Sequence, residues 1–263
     1  MQHLTVKGLV IRETDFGESD RYISVLTERG AKIEVLCRGV RRRGGRLTAA
    51  VRLFCWSELT LYEGRNGKYT LNDASIVHSF WGVTRDMDTY AMCCYLAELA
   101  GVMTGPEEET PDITRLFLYA LYAVIDQNRG LDLVKAAFEL RLMAECGFAP
   151  DLSVCGACQQ PIEGTVYFSV REGAVLDAAC CKRLGGGDFA PLPDGVYMAM
   201  AHVLLSEIPH VFSFVLGSDA LRVFAGVCER YALYYAERGF HSLDFYHQLK
   251  TSEALGASPT NRK

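Results

Sequence analysis

Residues 4–38 read LTVKGLVIRETDFGESDRYISVLTERGAKIEVLCR, three runs rich in Val, Ile, Thr, Tyr and Leu that are separated by turn-forming residues. Such runs are typical of β-strands, because branched and aromatic side chains pack well on a pleated sheet. The runs cover residues 4–13, 21–28 and 31–38, and two more follow at residues 50–62 and 68–77. Five short strands in sequence predict a small barrel, and the five-stranded OB-fold is the barrel most often used to bind oligonucleotides.

An excess of arginine lies between the third and fourth runs. Residues 35–57 contain no acidic residue and six arginines, namely Arg38, Arg41, Arg42, Arg43, Arg46 and Arg52. The whole chain has a net charge of −5, whereas residues 1–70 carry 13 Lys and Arg against 8 Asp and Glu. Charges are screened within about 10 Å at ordinary salt, so a basic N-terminal unit can bind a polyanion on its own. A solvated loop is the alternative; we favour phosphate binding, because six cations without a carboxylate exceed what solubility requires.

The remaining sequence predicts helices interrupted by a Cys-rich segment. Apolar residues at helical spacing begin near Thr84, and Thr110 with Pro111 is a typical start for the next helix. Helices are predicted over residues 84–105, 111–128, 131–146, 195–208 and 219–238. The predicted class is therefore α+β: an OB-fold over residues 1–80, a helical domain over 81–150 and 191–250 interrupted by a zinc-finger-like segment over 151–190, and a disordered tail over 251–263.

Ten cysteines need an explanation in a chain that carries no secretory signal pattern. Six are scattered through apolar stretches and are interpreted as core residues: Cys37, Cys55, Cys93, Cys94, Cys146 and Cys228. Cys155 and Cys158 have the two-residue spacing of a zinc knuckle, whose thiolates reach one Zn²⁺ at about 2.3 Å. Cys180 is the expected third ligand. The fourth is Cys181, adjacent to it, or Asp177; a site without metal and a redox cysteine pair are the alternatives.

The sequence favours a binding protein over an enzyme. It contains no nucleophile motif, no phosphate-binding loop of the required spacing and no His-x-Glu pair near the cysteines, which a zinc deaminase would need. No apolar run approaches the about 20 residues that span a bilayer, so we expect a cytoplasmic protein without a membrane partner. A zinc-ribbon accessory factor of transcription or translation would share the basic barrel and the Cys cluster.

Three segments resemble the bacterial RecO family of recombination mediators. They are the opening strand and acidic turn GLVIRETDFGESDR at residues 8–21, the basic loop CRGVRR at residues 37–42, and the helix-to-knuckle junction FELRLMAECGFAPDL at residues 138–152, which leads into Cys155 and Cys158. The resemblance covers nearly the whole chain, and it departs at Asp177, where zinc-binding members carry a cysteine.

The resemblance implies a function in recombinational DNA repair without nucleotide hydrolysis. RecO-like proteins bind single- and double-stranded DNA, anneal complementary strands, and act with RecR to load RecA onto DNA coated by single-strand-binding protein. A location at the bacterial nucleoid would follow. The expected phosphate contacts are Arg38, Arg41, Arg42, Arg43 and Arg46, extended by Arg12 and Arg21, and Tyr22, Phe54 or Tyr62 would stack bases if they face outward.

Overall fold

The computed structural model describes residues 2–42, 47–64, 67–105, 109–185 and 189–256. The chain divides into two compact units, one formed by residues 1–114 with 239–263 and the other by residues 115–238. Among the residues that the structure describes, no helix is both long and apolar enough to cross a membrane.

The first unit contains a closed five-stranded barrel. The strands are β1 Gln2–Phe16, β2 Asp20–Thr27, β3 Lys32–Cys37, β4 Cys55–Glu63 and β5 Tyr69–Ser79. They pair in the order β1-β2-β3-β5-β4, and β4 returns to pair with β1. All pairs are antiparallel except β3 with β5. The predicted α+β class with an N-terminal OB-fold barrel is confirmed.

The fourth strand begins at Cys55, five residues later than predicted. Residues 47–54 form turns instead, although Ala50 and Val51 are buried. Phe54 has a φ of +62°, and its N–H donates to the carbonyl of Val10 at 2.9 Å. The apolar run at residues 50–54 therefore packs against the barrel as a folded turn, which a period-two pattern does not distinguish from a strand.

Two long helices accompany the barrel in the first unit, after a short 3₁₀ helix at Trp81–Arg85. Helix α1, Met87–Met103, starts where the carboxylate of Asp86 accepts from the N–H of Thr89 at 2.7 Å. The C-terminal helix packs on it with buried Leu243 and Tyr246, and Phe240, directly before that helix, is buried as well. This helix, absent from our prediction, spans His241–Gly256. Residues 251–256 are thus helical, contrary to the predicted disordered tail, and the rest of that tail lies outside the described residues.

The second unit combines helices with a small sheet. The boundary between the units falls within the helix Pro111–Ile125. Inside it, the Lys135 ammonium lies 2.8 Å from Glu139 and 2.6 Å from Glu229, with Lys135 and Glu139 almost fully buried. The three-stranded sheet has the order β7-β6-β8. The helices are α2 Pro111–Ile125, α3 Leu131–Glu145, α4 Ala178–Leu184, α5 Asp194–Leu205 and α6 Ser218–Ala236, with α7 the C-terminal helix above; the strands are β6 Val166–Ser169, β7 Ala174–Asp177 and β8 Phe189–Leu192.

Candidate nucleic-acid interface and metal centre

The acidic turn between β1 and β2 anchors the start of the basic loop. The carboxylate of Asp20 accepts from the N–H of Gly39 at 2.8 Å, and the carbonyl of Ser19 accepts from the N–H of Arg41 at 3.0 Å. The Gly39 hydrogen bond lowers the pKa of Asp20, so this carboxylate is ionised and holds the loop at neutral pH. The Gly-Glu-Ser-Asp turn at residues 17–20 therefore has a structural role, because it fixes the backbone that carries the arginines.

A second anchor lies on the other side of the loop. The carbonyl of Val40 accepts from the hydroxyl of Thr48 at 2.7 Å, and the Val40 side chain is buried in the barrel core. Residues 43–46 lie outside the described residues, which places the predicted contacts Arg43 and Arg46 there too. Within the described residues, hydrogen bonds thus tie the backbone of Gly39, Val40 and Arg41 to neighbouring segments.

The basic loop exposes the side chains of Arg38, Arg41 and Arg42, and β1 exposes that of Arg12. Arg41 is partly engaged: its guanidinium lies 3.3 Å from Asp15 and donates to the carbonyl of Gly17 at 3.1 Å. A phosphate that binds Arg41 would compete with these two oxygens. Within the part of the chain that the structure describes, neither Arg38 nor Arg42 forms an ion pair with a carboxylate, so both exposed side chains are more available to a phosphate than Arg41 is.

Arg21 differs from the other predicted DNA contacts because two carboxylates hold it. Its guanidinium pairs with Glu13 and lies 2.9 Å from Asp15, and its side chain is only 18% exposed. Asp15 faces Arg21 directly in the register of β1 and β2. The sequence analysis missed Glu13 and Asp15 as partners, although hairpin pairing across the Gly17 turn was the signal that could have found Asp15. Arg21 is therefore less available to a phosphate than the exposed arginines of the loop.

The aromatic residues proposed for base stacking are not equivalent. Phe54 is buried, with 2% of its surface exposed, so it cannot stack on a base. Tyr22 is half-buried and packs edge-on against Phe16, with ring centroids 5.2 Å apart. Tyr62 is also half-buried, beside His3. Of the three, only the two tyrosines retain accessible ring surface.

The second unit brings four potential metal ligands together. The thiols of Cys155, Cys158 and Cys180 and a carboxylate oxygen of Asp177 all lie within 4.8 Å of one another. Asp177 also caps α4, because its carboxylate accepts from the N–H of Cys180 at 2.6 Å. Cys181 is not part of this group, because the next helical residue points about 100° away; of the two predicted candidates for the fourth ligand, Asp177 is the one that lies beside the three thiols.

The backbone is adapted to this cluster. The N–H of Gly156 donates to the carbonyl of Val175 at 2.8 Å, and a Cβ on Gly156 would lie 2.9 Å from the Cβ of Ala174. A glycine is therefore required for the knuckle turn to approach β7 closely. The buried cluster directly around these ligands is small and consists of Cys155, Leu176 and Cys180 with partly buried neighbours.

Hydrogen bonding prepares part of the cluster for a cation. The N–H of Cys180 and the thiol of Cys158 lower the pKa of Asp177 to about 2, so this carboxylate is ionised at neutral pH. Burial raises the pKa of Cys155, but N–H groups from Asp177, Cys158 and Ala157 outweigh burial and lower it below its usual value. Burial raises the pKa of Cys180 to about 12, so metal binding there must displace a proton.

These residues fit a structural zinc ion. Tetrahedral ligands at about 2.3 Å from zinc lie about 3.8 Å from each other, a spacing compatible with the donor atoms here. Three thiolates and a carboxylate would give the ion an excess of two negative charges. The guanidinium of Arg183, 3.2 Å from the sulfur of Cys180, offsets part of that excess.

Comparison with known proteins identifies the family. The model of the Recombination protein O N-terminal domain matches residues 1–80, and that of the C-terminal domain matches residues 84–244. The DNA repair protein RecO of Acetivibrio thermocellus is 27% identical over 249 residues, which cover 95% of this chain and 98% of the relative. That of Clostridium novyi is 25% identical and covers 94% of each chain. The first match covers the arginine-bearing barrel, and the second covers the part of the chain that contains the Cys cluster. Because these two matches together extend over most of its length, the chain belongs to the RecO family.

Proposed function

We propose that this protein is a recombination mediator in DNA repair, which binds single- and double-stranded DNA and anneals complementary strands. The observation that carries the proposal is the arginine loop, whose exposed side chains extend from a backbone anchored to the barrel on both sides. An anchored loop loses less conformational entropy when it binds phosphates than a free one does. Phosphate contacts of this kind give affinity without sequence preference, as annealing of arbitrary strands requires.

The proposed DNA site consists of Arg12, Arg38, Arg41 and Arg42 of the described residues, together with Arg43 and Arg46. Arg21 supports the site from below through its pairs with Glu13 and Asp15. Tyr22 and Tyr62 retain ring surface that a base could contact. The protein would need no catalytic residue, because annealing releases free energy by base pairing and requires only that two strands be held together.

The partners proposed from the family are RecR, single-strand-binding protein and, indirectly, RecA, with action at the nucleoid. The surplus of negative charge in residues 71–263 would keep DNA away from much of that part and leave it for proteins. Zinc on Cys155, Cys158, Asp177 and Cys180 would have a structural role, since all four coordination positions are supplied by the chain.

The test is annealing of two complementary fluorescent oligonucleotides without ATP, with and without a coat of single-strand-binding protein. The parent is compared with the triple variant Arg38→Ala, Arg41→Ala, Arg42→Ala. Fast annealing by the parent and its loss in the variant would support the proposal. Tight binding without annealing would contradict it and favour the zinc-ribbon accessory factor.

A further inference from the structure

A tryptophan and an arginine form an exposed pair at one end of the barrel. The guanidinium carbon of Arg52 lies 5.2 Å from the centre of the Trp81 ring, a cation–π distance. Arg52 is exposed, and Trp81 exposes 56% of its surface. An indole this open beside a cation leaves aromatic ring surface that a ligand can contact.

The backbone on both sides of the pair is fixed. The N–H of Cys55 donates to the carbonyl of Arg52 at 3.0 Å, which closes the turn that carries Arg52. The carbonyl of Phe54 accepts from the N–H of Phe80, next to Trp81, at 3.1 Å. Phe54 has the left-handed φ of +62°, a conformation that costs a non-glycine residue energy. A strained and buried residue thus joins the turn of Arg52 to the start of the 3₁₀ helix.

Two open cavities meet at the pair, and both are walled by Arg52 and Trp81. One has a volume of about 350 Å³ and is completed by residues such as Ala49, Cys55 and Ile76. The other, of about 230 Å³, is completed by residues such as Phe80 and Tyr90. A cavity of about 150 Å³ is enough for benzene, so each has room for a planar ring.

The charge of the surroundings favours an anionic ligand with an aromatic part. Arg52 is the last of the six arginines in the acid-free residues 35–57. None of the described residues that line the larger cavity is acidic. The smaller one includes Glu13, but that carboxylate pairs with Arg21. A purely apolar partner would gain nothing from the guanidinium and would have to desolvate it.

We infer that Arg52 and Trp81 form a stacking site for an unpaired base of single-stranded DNA. The indole contacts the face of the base, and the guanidinium contacts the base or the adjoining phosphate. This inference rests on the proposed function and adds a site that distinguishes single strands from duplex, since a paired base has no free face inside the helix. Strand capture before annealing would begin there.

The test compares a normal oligodeoxythymidylate with an abasic oligonucleotide of the same length and charge. Trp81→Ala should lower affinity for the normal strand by about 5- to 150-fold, the effect of one lost stacking contact, and should leave affinity for the abasic strand and for duplex unchanged. Trp81→Phe should restore part of the loss. Equal affinities of parent and Trp81→Ala for the normal strand, or equal losses on both strands, would overturn the inference.

Fluorescence gives a second readout, because the chain has only two tryptophans. In Trp56→Phe the remaining indole is Trp81, and its emission should be quenched by oligodeoxythymidylate; in Trp81→Phe the emission of Trp56 should change little. Failure of the parent to bind any oligonucleotide would refute the proposed function itself. Binding that is normal and salt-dependent, without quenching of Trp81, would refute only the stacking site.

Discussion

Removal of Arg38 and Arg42 tests the arginine loop most directly. Each phosphate contact on a single strand contributes about 0.7 to the slope of log affinity against log salt. Both side chains are exposed, so Arg38→Ala with Arg42→Ala should reduce the magnitude of the slope by about 1.4. Between 50 and 200 mM salt the parent should then lose about seven-fold more affinity than the double variant.

Arg41 should contribute less than either neighbour. Its guanidinium already lies 3.3 Å from Asp15, so a phosphate replaces an existing ion pair there instead of making a wholly new one. Arg41→Ala alone should therefore change the slope by less than about 0.7. Conversely, Asp15→Asn should strengthen DNA binding at low salt, because it removes the competing carboxylate.

The measurement is fluorescence anisotropy of a labelled oligodeoxythymidylate across this salt range. The matched control is Arg222→Ala with Arg230→Ala, two exposed arginines on α6 in the other unit, which removes the same net charge. An unchanged slope in the loop variant, or equal changes in the loop and control variants, would refute the assignment of phosphate contacts to the loop.

Three further predictions concern stability and metal binding. Asp177→Ala should weaken zinc binding, measured by competition with a chelator, whereas Cys181→Ser should not; the reverse order would show that Cys181 is the ligand. Gly30→Ala should lower the free energy of unfolding by more than Gly67→Ala does. Both glycines have a positive φ, but only a Cβ at position 30 would meet backbone, 2.0 Å from the carbonyl oxygen of Thr110. Equal losses measured by chemical denaturation would contradict this prediction. Burial lowers the pKa of Lys135, but its two glutamate partners raise that pKa above 10.5 overall. The stabilising effect of the ammonium is therefore complete at neutral pH and is lost only as the pH rises above that value. Lys135→Ala should lower the free energy of unfolding by about 3–5 kcal/mol at pH 7, and a loss below about 1 kcal/mol would contradict this prediction.

The barrel was predictable because its signal is local. Alternating side chains and turn glycines reveal each strand, and the order of an OB-fold then follows from the number of strands and the family resemblance. Helix α7 was not predictable in the same way. Among its described side chains few are buried, and they become a helix face only through packing on α1, where Phe240, directly before α7, also meets Tyr95 with ring centroids 5.6 Å apart.

The candidate metal centre shows a second limit of sequence reasoning. The spacing of Cys155 and Cys158 points to a tetrahedral site, but the adjacent Cys180 and Cys181 offer two thiols where one direction is available. The choice depends on Asp177, which starts α4 and thereby turns Cys180 toward the knuckle. A helix of seven residues is too short to recognise from periodicity, so the sequence leaves both candidates for the fourth ligand open.

The ion pairs beneath the loop bear on how a strand-annealing protein releases its product. A protein with six to ten phosphate contacts loses about 10³- to 10⁵-fold in affinity between 50 and 200 mM salt. A protein that made only three contacts to a single strand would lose about 18-fold over the same range. The carboxylates of Glu13 and Asp15 hold Arg21 on β2, and Asp15 also engages Arg41 of the loop, so these carboxylates limit how many cations of the basic surface reach DNA. Fewer contacts mean weaker and faster-exchanging binding. Under the proposed function this is an advantage, because a protein that held phosphates too tightly would remain on the duplex it had just formed. A base-stacking contact at Trp81 would add affinity for single strands alone, and pairing of the bases would then itself remove the contact and promote release.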